Sequence, residues 1–352
     1  MAPTLTTPLC ELLGIKHPII LAGMNGVATA PLAAAVSNAG GLGVIGGVGY
    51  TPKKLQEELD ELKALLEPGK PFGVDLLLPQ VGGNARKTNK DYTNGALPEL
   101  IDIIIASKPA LFVSAVGVPP KWAVDKLHAA GILVQNMVGH PKHALKALEV
   151  GVDIICAQGT EGGGHTGPIA STVLFPQVAD ILKGKVSPLT GKPVHMVAAG
   201  GIFDGRGLAA ALTYGAQAVW VGTRFIASTE SAAGPMHVNA VLKAGADETI
   251  RTTVYTGRPM RVLMNDFARE WEEDKHAEKI KIQNEGTIIA EHYMNNMTDA
   301  EQENFQLYKF LPLLMGQAIG GVNKVEPAKK IIEDMVEDAV ACLKTGSSFA
   351  KL

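Results

Sequence analysis

Eight short apolar runs set the first two thirds of the chain: His17–Met24, Gly41–Gly46, Phe72–Leu78, Ala110–Gly117, Ile132–Gly139, Val152–Gly159, His195–Gly201 and Ala218–Phe225. Each is hydrophobic throughout instead of alternating, which is the pattern of a parallel strand buried on both faces. Between them lie stretches with apolar positions three and four residues apart, among them Pro52–Leu66, Leu97–Ser107, Pro120–Ala130, Pro141–Val150 and Gly205–Tyr214. Strand then helix, repeated eight times, predicts an α/β protein of the (β/α)8 TIM-barrel class. A doubly wound open sheet competes, but it rarely needs eight such units and normally shows a Gly-x-Gly-x-x-Gly turn after its first strand. Leu21–Thr29 has no such turn.

Two stretches break the rhythm. Pro79–Gly95 is a polar loop after the third run, which a barrel would place on its catalytic face as a lid. After Ser228, Trp271–Ile282 and Ala300–Tyr308 are charged and helical in pattern, and Glu326–Leu343 reads as an amphipathic final helix. The expected division is therefore a cofactor-binding barrel over residues 1–228, a helical region covering the substrate over 229–320, and a helix returning to the barrel with an exposed tail over 321–352. At 352 residues, one such large domain is within reach.

Composition narrows the partners. With 32 basic and 35 acidic residues the charge nearly cancels, and no basic stripe interleaves with aromatics, so nothing favours a nucleic-acid surface. Cys10, Cys156 and Cys342 lie far apart, which argues against a disulfide framework and a zinc site. No apolar run reaches the roughly 18–20 residues that span a bilayer, and no secretory signal pattern opens the chain. A small-molecule partner is expected, with no nucleic acid, no membrane and no metal.

In a barrel the strand C-termini build the site, and phosphate commonly binds after the seventh and eighth strands. The seventh run ends in Gly200 and Gly201, and the eighth in Gly222 and Thr223. Glycines let the backbone approach a ligand without a Cβ, and Thr223 adds a hydroxyl donor, although ordinary turn glycines would look the same. The densest motif is Gln158-Gly159-Thr160-Glu161-Gly162-Gly163-Gly164-His165-Thr166-Gly167 after the sixth run. Such a loop lets a flat ligand lie against bare backbone. His165 at its end is a usable base near neutral pH, and a glycine run has little structural reason to carry an imidazole. Gln158 can hydrogen-bond a ligand edge or simply anchor the loop. Other histidines, including His128, His140, His143, His237, His276 and His292, show no metal-ligand spacing and read as structural or surface residues.

The chain resembles the nitronate monooxygenase family, formerly called 2-nitropropane dioxygenases. The resemblance rests on Ala22-Gly23-Met24, the small-residue run from Ala33 to Gly43, the glycine loop ending in His165, Ala199-Gly200-Gly201-Ile202, Gly222-Thr223-Arg224-Phe225 and Gly316-Gln317-Ala318. It implies FMN as cofactor. Gly23, Met24 and Asn25 would pass beneath the flavin ring, Gln158 and Gly163 would touch it, and Gly200, Gly201, Gly222 and Thr223 would hold its phosphate. His165 matches the histidine that in this family removes the α-proton of a nitroalkane or steadies a nitronate, before flavin and O2 complete conversion to a carbonyl compound and nitrite. Two departures, Gly162 where many relatives have Ala and Gly23 where Pro is frequent, leave substrate size open, as does the charged stretch Arg269–Asn284. The same scaffold occurs in FMN-dependent NAD(P)H:quinone reductases and a flavin enoyl-acyl-carrier-protein reductase. A sugar-phosphate-binding barrel without flavin is the remote alternative. Ala350-Lys351-Leu352 is a variant of the peroxisomal Ser-Lys-Leu address, so an import receptor and a peroxisomal location are expected over a cytoplasmic one.

Overall fold

The computed structural model describes residues 4–303 and 305–351. Its strands are β1 (Ile19–Leu21), β2 (Gly43–Gly47), β3 (Phe72–Leu77), β4 (Leu111–Ala115), β5 (Leu133–Val138), β6 (Ile154–Gln158), β7 (Gly164–His165), β8 (His195–Ala199), β9 (Ala218–Val221), β10 (Thr249–Thr252) and β11 (Met260–Leu263). All eight apolar runs become barrel strands. They pair in parallel in the order β1-β9-β8-β6-β5-β4-β3-β2. A parallel bridge between Ile20 and Leu42 closes the ring, with the Leu21 N–H donating to the Leu42 carbonyl at 2.9 Å.

Each strand buries both faces, which is why the runs do not alternate. Ile155, Ala157 and Ala198 point out to the helices, whereas Ile154, Cys156, Val197 and Ala199 fill the interior. Leu9, Cys10 and Leu13 of helix Pro8–Leu13 join that interior cluster, and the Thr7 hydroxyl donates to the Gln217 carbonyl just before β9. The N-terminal end of the barrel is thereby plugged, leaving the C-terminal end for a site. The small-residue run also finds its reason: helix Ala30–Asn38 lies so close to β2 that a Cβ on Gly43 would stand 1.8 Å from the Ala33 carbonyl oxygen.

After β9 the chain makes only the short helix Thr223–Ile226, and the helix Ala328–Ser348 returns to pack on helices Gly205–Thr213 and Ala30–Asn38. The approach is close, since a Cβ on Gly205 would lie 2.4 Å from the Ala339 nitrogen. Residues 229–320, read as helical, also contain a hairpin. β10 and β11 pair antiparallel, and β11 pairs with β7. The helical pattern over 271–282 is two helices, Asp266–Glu272 and His276–Glu285. Their cluster of rings, including Phe267 and Phe310 with centroids 4.8 Å apart, forms a satellite core beside the mouth.

The polar loop 79–95 lines the mouth and is clasped to this tail. Lys90 pairs with Glu291, and Lys87 donates to the Asn284 carbonyl at 2.9 Å. No described helix is long and apolar enough to cross a membrane. Ala350 and Lys351 follow the exposed end of the last helix, and Leu352, the final residue of the terminal tripeptide, lies outside the described residues.

Candidate active site

The strand C-termini open into a cavity of about 1750 Å³. Gly23, Met24 and Asn25 line it from the β1 side, Gln158, Gly163 and His165 from the glycine loop, and Gly200, Gly201, Gly222 and Thr223 from the ends of β8 and β9. The structure thus brings all ten residues singled out in the sequence to one space.

The floor is bare backbone. A Cβ on Gly46 would stand 2.4 Å from Gly23 Cα, and one on Gly23 would stand 2.4 Å from Asp75 Oδ2. The glycine at position 23 therefore makes room for the Asp75 carboxyl. That carboxyl is 3% exposed, lines the cavity, and has no partner for Oδ1 among the described residues. Burial pushes its pKa up to about 8, so it is largely protonated at neutral pH and can donate a hydrogen bond. Sequence reasoning passed over Asp75; the available signal was a lone acid inside the apolar run Phe72–Leu78.

Opposite, Gly200 (φ +100°) and Gly201 (φ +74°) adopt the left-handed conformation that disfavours a side chain. Thr223 accepts the Gly316 N–H at 2.9 Å, which leaves its own hydroxyl proton free to donate. Arg224 of the same motif does not line the cavity. It is buried in an ion pair with Glu326 at 2.6 Å and donates to the Ala227 and Lys324 carbonyls, tying the barrel to the segment that precedes the last helix.

The glycine loop is pinned. Glu161 accepts from the Ser171 N–H at 3.1 Å and the Ser171 hydroxyl at 2.9 Å. A Cβ on Gly163 would meet the Met315 carbonyl carbon at 2.6 Å, so the 315–316 segment rests directly on the loop. Gly162, by contrast, faces the flexible end of Gln158, whose Nε2 would be 2.8 Å from an added Cβ.

His165 is held in β7 against Met260 of β11. Its Nε2 lies 3.0 Å from Thr256 Oγ1, and that hydroxyl in turn donates to the Arg258 carbonyl at 3.3 Å. Thr256 Oγ1 also accepts the Arg258 N–H at 3.4 Å, so the hydroxyl anchors the ring through Nε2, and Nδ1 has no hydrogen bond to the described residues. Burial first, and the Arg258 charge second, lower the pKa to about 4, so the ring is neutral at pH 7. Among the other histidines, His128 pairs with Asp153 at 2.9 Å, and His237 Nε2 lies 2.9 Å from the Leu314 carbonyl oxygen. His140, His143 and His237 line the cavity. No group of three or more His, Cys, Asp or Glu among the described residues could hold a metal ion.

A (β/α)8 barrel whose strand C-termini gather left-handed glycines and a half-buried, neutral imidazole around one cavity has the build of a barrel-enzyme site. The chain belongs to the nitronate monooxygenase family, whose model matches residues 6–338. Membership makes it an oxidoreductase of a flavin-dependent group. It is 33% identical over 378 residues, covering 99% of each chain, to the (3aS,4S,5R,7aS)-5-hydroxy-7a-methyl-1-oxo-octahydro-1H-indene-4-carboxyl-CoA dehydrogenase of Mycobacterium tuberculosis. Among solved structures, FabK from Thermotoga maritima is similar with a TM-score of 0.76 and 30% identity, over 99% of this chain and 100% of that one. A nitroalkane oxidase from Streptomyces ansochromogenes is similar with a TM-score of 0.77 and 25% identity, over 97% and 99%.

Proposed function

We propose that the protein is an FMN-dependent nitronate monooxygenase that converts alkyl nitronates, and nitroalkanes after proton removal, to carbonyl compounds and nitrite with O2. The observation that carries the reading is His165, positioned by β7 and Thr256 and kept neutral by burial and the Arg258 charge, in the same cavity as the glycine floor. Gly200, Gly201, Gly222 and Thr223 would hold the phosphate, Gly23, Met24 and Asn25 would underlie the ring, and Gln158 and Gly163 would meet its edge. When bound, the flavin supplies the electron transfer between substrate and O2. The chain supplies the rest: Nδ1 of His165 takes the α-proton, and the clasped 79–95 loop limits water. Asp75, protonated beneath Gly23, offers a donor from below.

A second reading is favoured by size. Ligand sites usually enclose roughly 300–1,000 Å³, and this cavity of about 1750 Å³ leaves space for a bulky second ligand beside a flavin. That suits a flavin-dependent reductase or dehydrogenase of the kind named in the FabK and CoA-dehydrogenase relatives. Anaerobic absorbance separates the readings: loss of the oxidised flavin band on adding a nitronate supports the first, and bleaching by NADH or NADPH alone supports a reductase. A protein without a flavin band would return the sugar-phosphate alternative.

A further inference from the structure

The mouth of the cavity is lined by bases without acids to match. Arg86 comes from the 79–95 loop, Arg251 from β10 and Arg258 from the β10–β11 turn, while Lys142, His143 and Lys146 come from helix Pro141–Glu149 after β5. Among the described residues the arginines found in ion pairs are Arg206 and Arg224, both elsewhere. Four carboxylates line the same cavity. Asp91 is committed to the Thr93 and Gly95 N–H groups, Glu161 to Ser171, and Asp75 lies at the floor. Glu149, exposed and three residues after Lys146 on the same helix, forms no ion pair among the described residues.

The bases act on one another. The charged groups acting on His143 are Lys142, His140, Lys146 and Arg258, every one a base, and Arg86 acts on both Arg251 and Arg258. Arg258 is fixed, not loose: it donates to the Val116 carbonyl and to Asn89 Oδ1 at 3.0 Å, at the junction of β4, the loop and the hairpin. Arg251 donates to the Thr166 carbonyl at 3.2 Å, and its buried Nε has no partner. Holding several like charges together on fixed elements costs free energy unless an anion sits among them, and this is a chain of net charge −3. Arg258 is anchored after β4 and to the 79–95 loop that carries Arg86; Lys142, His143 and Lys146 follow β5, and Arg251 reaches the glycine loop at Thr166.

We propose that this mouth is a second anion site, which binds the phosphate groups of a nucleotide-type substrate or co-substrate whose reactive end extends to His165. The inference rests on the second reading above, since an alkyl nitronate carries no phosphate, and it deepens that reading by stating how the bulky ligand is held. Arg258 links the two ends, since it lies beside the phosphate site and acts on His165.

The test is calorimetric binding of ADP, AMP and adenosine to flavin-saturated protein, in which the β8–β9 cradle is already filled. The expected order is ADP, then AMP, then adenosine, with ADP affinity falling as salt rises. Arg86→Ala and Lys142→Ala, neither of which touches the cradle, should each weaken ADP by about tenfold, with Arg86→Lys restoring most of it. Unchanged flavin content in these variants separates this site from the cofactor site. Equal binding of adenosine and ADP, unaltered ADP binding by Arg86→Ala, or no ADP binding at millimolar concentration would overturn the proposal. If the protein takes up no flavin, the functional reading fails, and the dependence of ADP binding on Arg86 still decides this one.

Discussion

Replacing His165 by Asn isolates the imidazole's chemistry from its structural bond. An Asn amide can still hydrogen-bond Thr256, whose Oγ1 now lies 3.0 Å from His165 Nε2, so β7 should keep its place against Met260. What disappears is the Nδ1 lone pair. General-base catalysis is worth about 10²–10⁴-fold, and kcat/KM for neutral nitroalkanes should fall by that factor while pre-formed nitronates, which need no proton removal, lose less than about tenfold. The pH profile gives a second handle. The base works in its neutral form, and with a pKa lowered to about 4 the wild-type rate on nitroalkanes should stay flat across neutral pH and drop only as pH falls through about 4. Stability follows the same sign. An unfolded histidine titrates near 6.5 and the folded one near 4, so the contribution is complete above pH 6.5 and is lost as pH falls toward 4, by at most about 3 kcal/mol. Steady-state rates on matched nitroalkane and nitronate pairs over pH, with thermal melts of both proteins, make the measurement. Equal losses on both substrates, or a wild-type inflection near 6.5, would refute the assignment of His165 as a neutral base.

Gly163→Ala drives a Cβ to 2.6 Å from the Met315 backbone and should destabilise by about 1–3 kcal/mol and lower flavin retention, whereas Gly162→Ala meets chiefly the Gln158 side chain, with the nearest backbone atom, the Gly159 carbonyl oxygen, at 3.3 Å, and should cost less; melting curves and flavin-to-protein ratios compare them. Asp75 is raised from 3.8 to about 8, so its protonated form contributes stability that is complete below about pH 4 and is lost as pH rises to 8; Asp75→Asn should flatten stability between about pH 4 and 8 in chemical denaturation. Glu326→Gln strands the buried Arg224 guanidinium and should cost about 3 kcal/mol in urea unfolding, without altering substrate specificity.

The barrel was legible because a parallel strand covered by helices outside and packed inside must be apolar at every position, and Ile154 to Ala157 shows that directly. The glycine positions were legible for a related reason: Gly200 and Gly201 need positive φ, and such requirements are written in single residues. The β10–β11 hairpin was not. Thr249–Thr252 and Met260–Leu263 are four residues each and carry Arg251 and Arg261, too short and too charged for a periodicity to show, and the pairing of Met260–Leu263 with Gly164–His165 spans nearly a hundred residues. The split of 271–282 escaped for a different reason, since the charged Glu273–Lys275 linker looks like solvated helix face. Asp75 was hidden by its neighbours, because one acid in an apolar run reads as noise until Gly23 is seen to yield space to it.

These illegible parts place the legible ones. The glycine loop has too little side-chain packing of its own to hold an imidazole, since glycine loses the most freedom on ordering. Here the order is imposed from the tail: β11 fixes His165 and Gly164, Met315 and Gly316 seat on Gly163, and the same Gly316 N–H engages Thr223 at the other wall. The proposed base and the proposed phosphate cradle are thus braced by one returning segment, which Arg224 and Glu326 in turn fasten to the barrel. A ligand that fills the cradle must favour the docked tail, and a docked tail must favour the ligand by the same free energy, because the two equilibria share Gly316. Flavin affinity should therefore track the stability of the tail, including substitutions such as Glu326→Gln that lie outside the cavity.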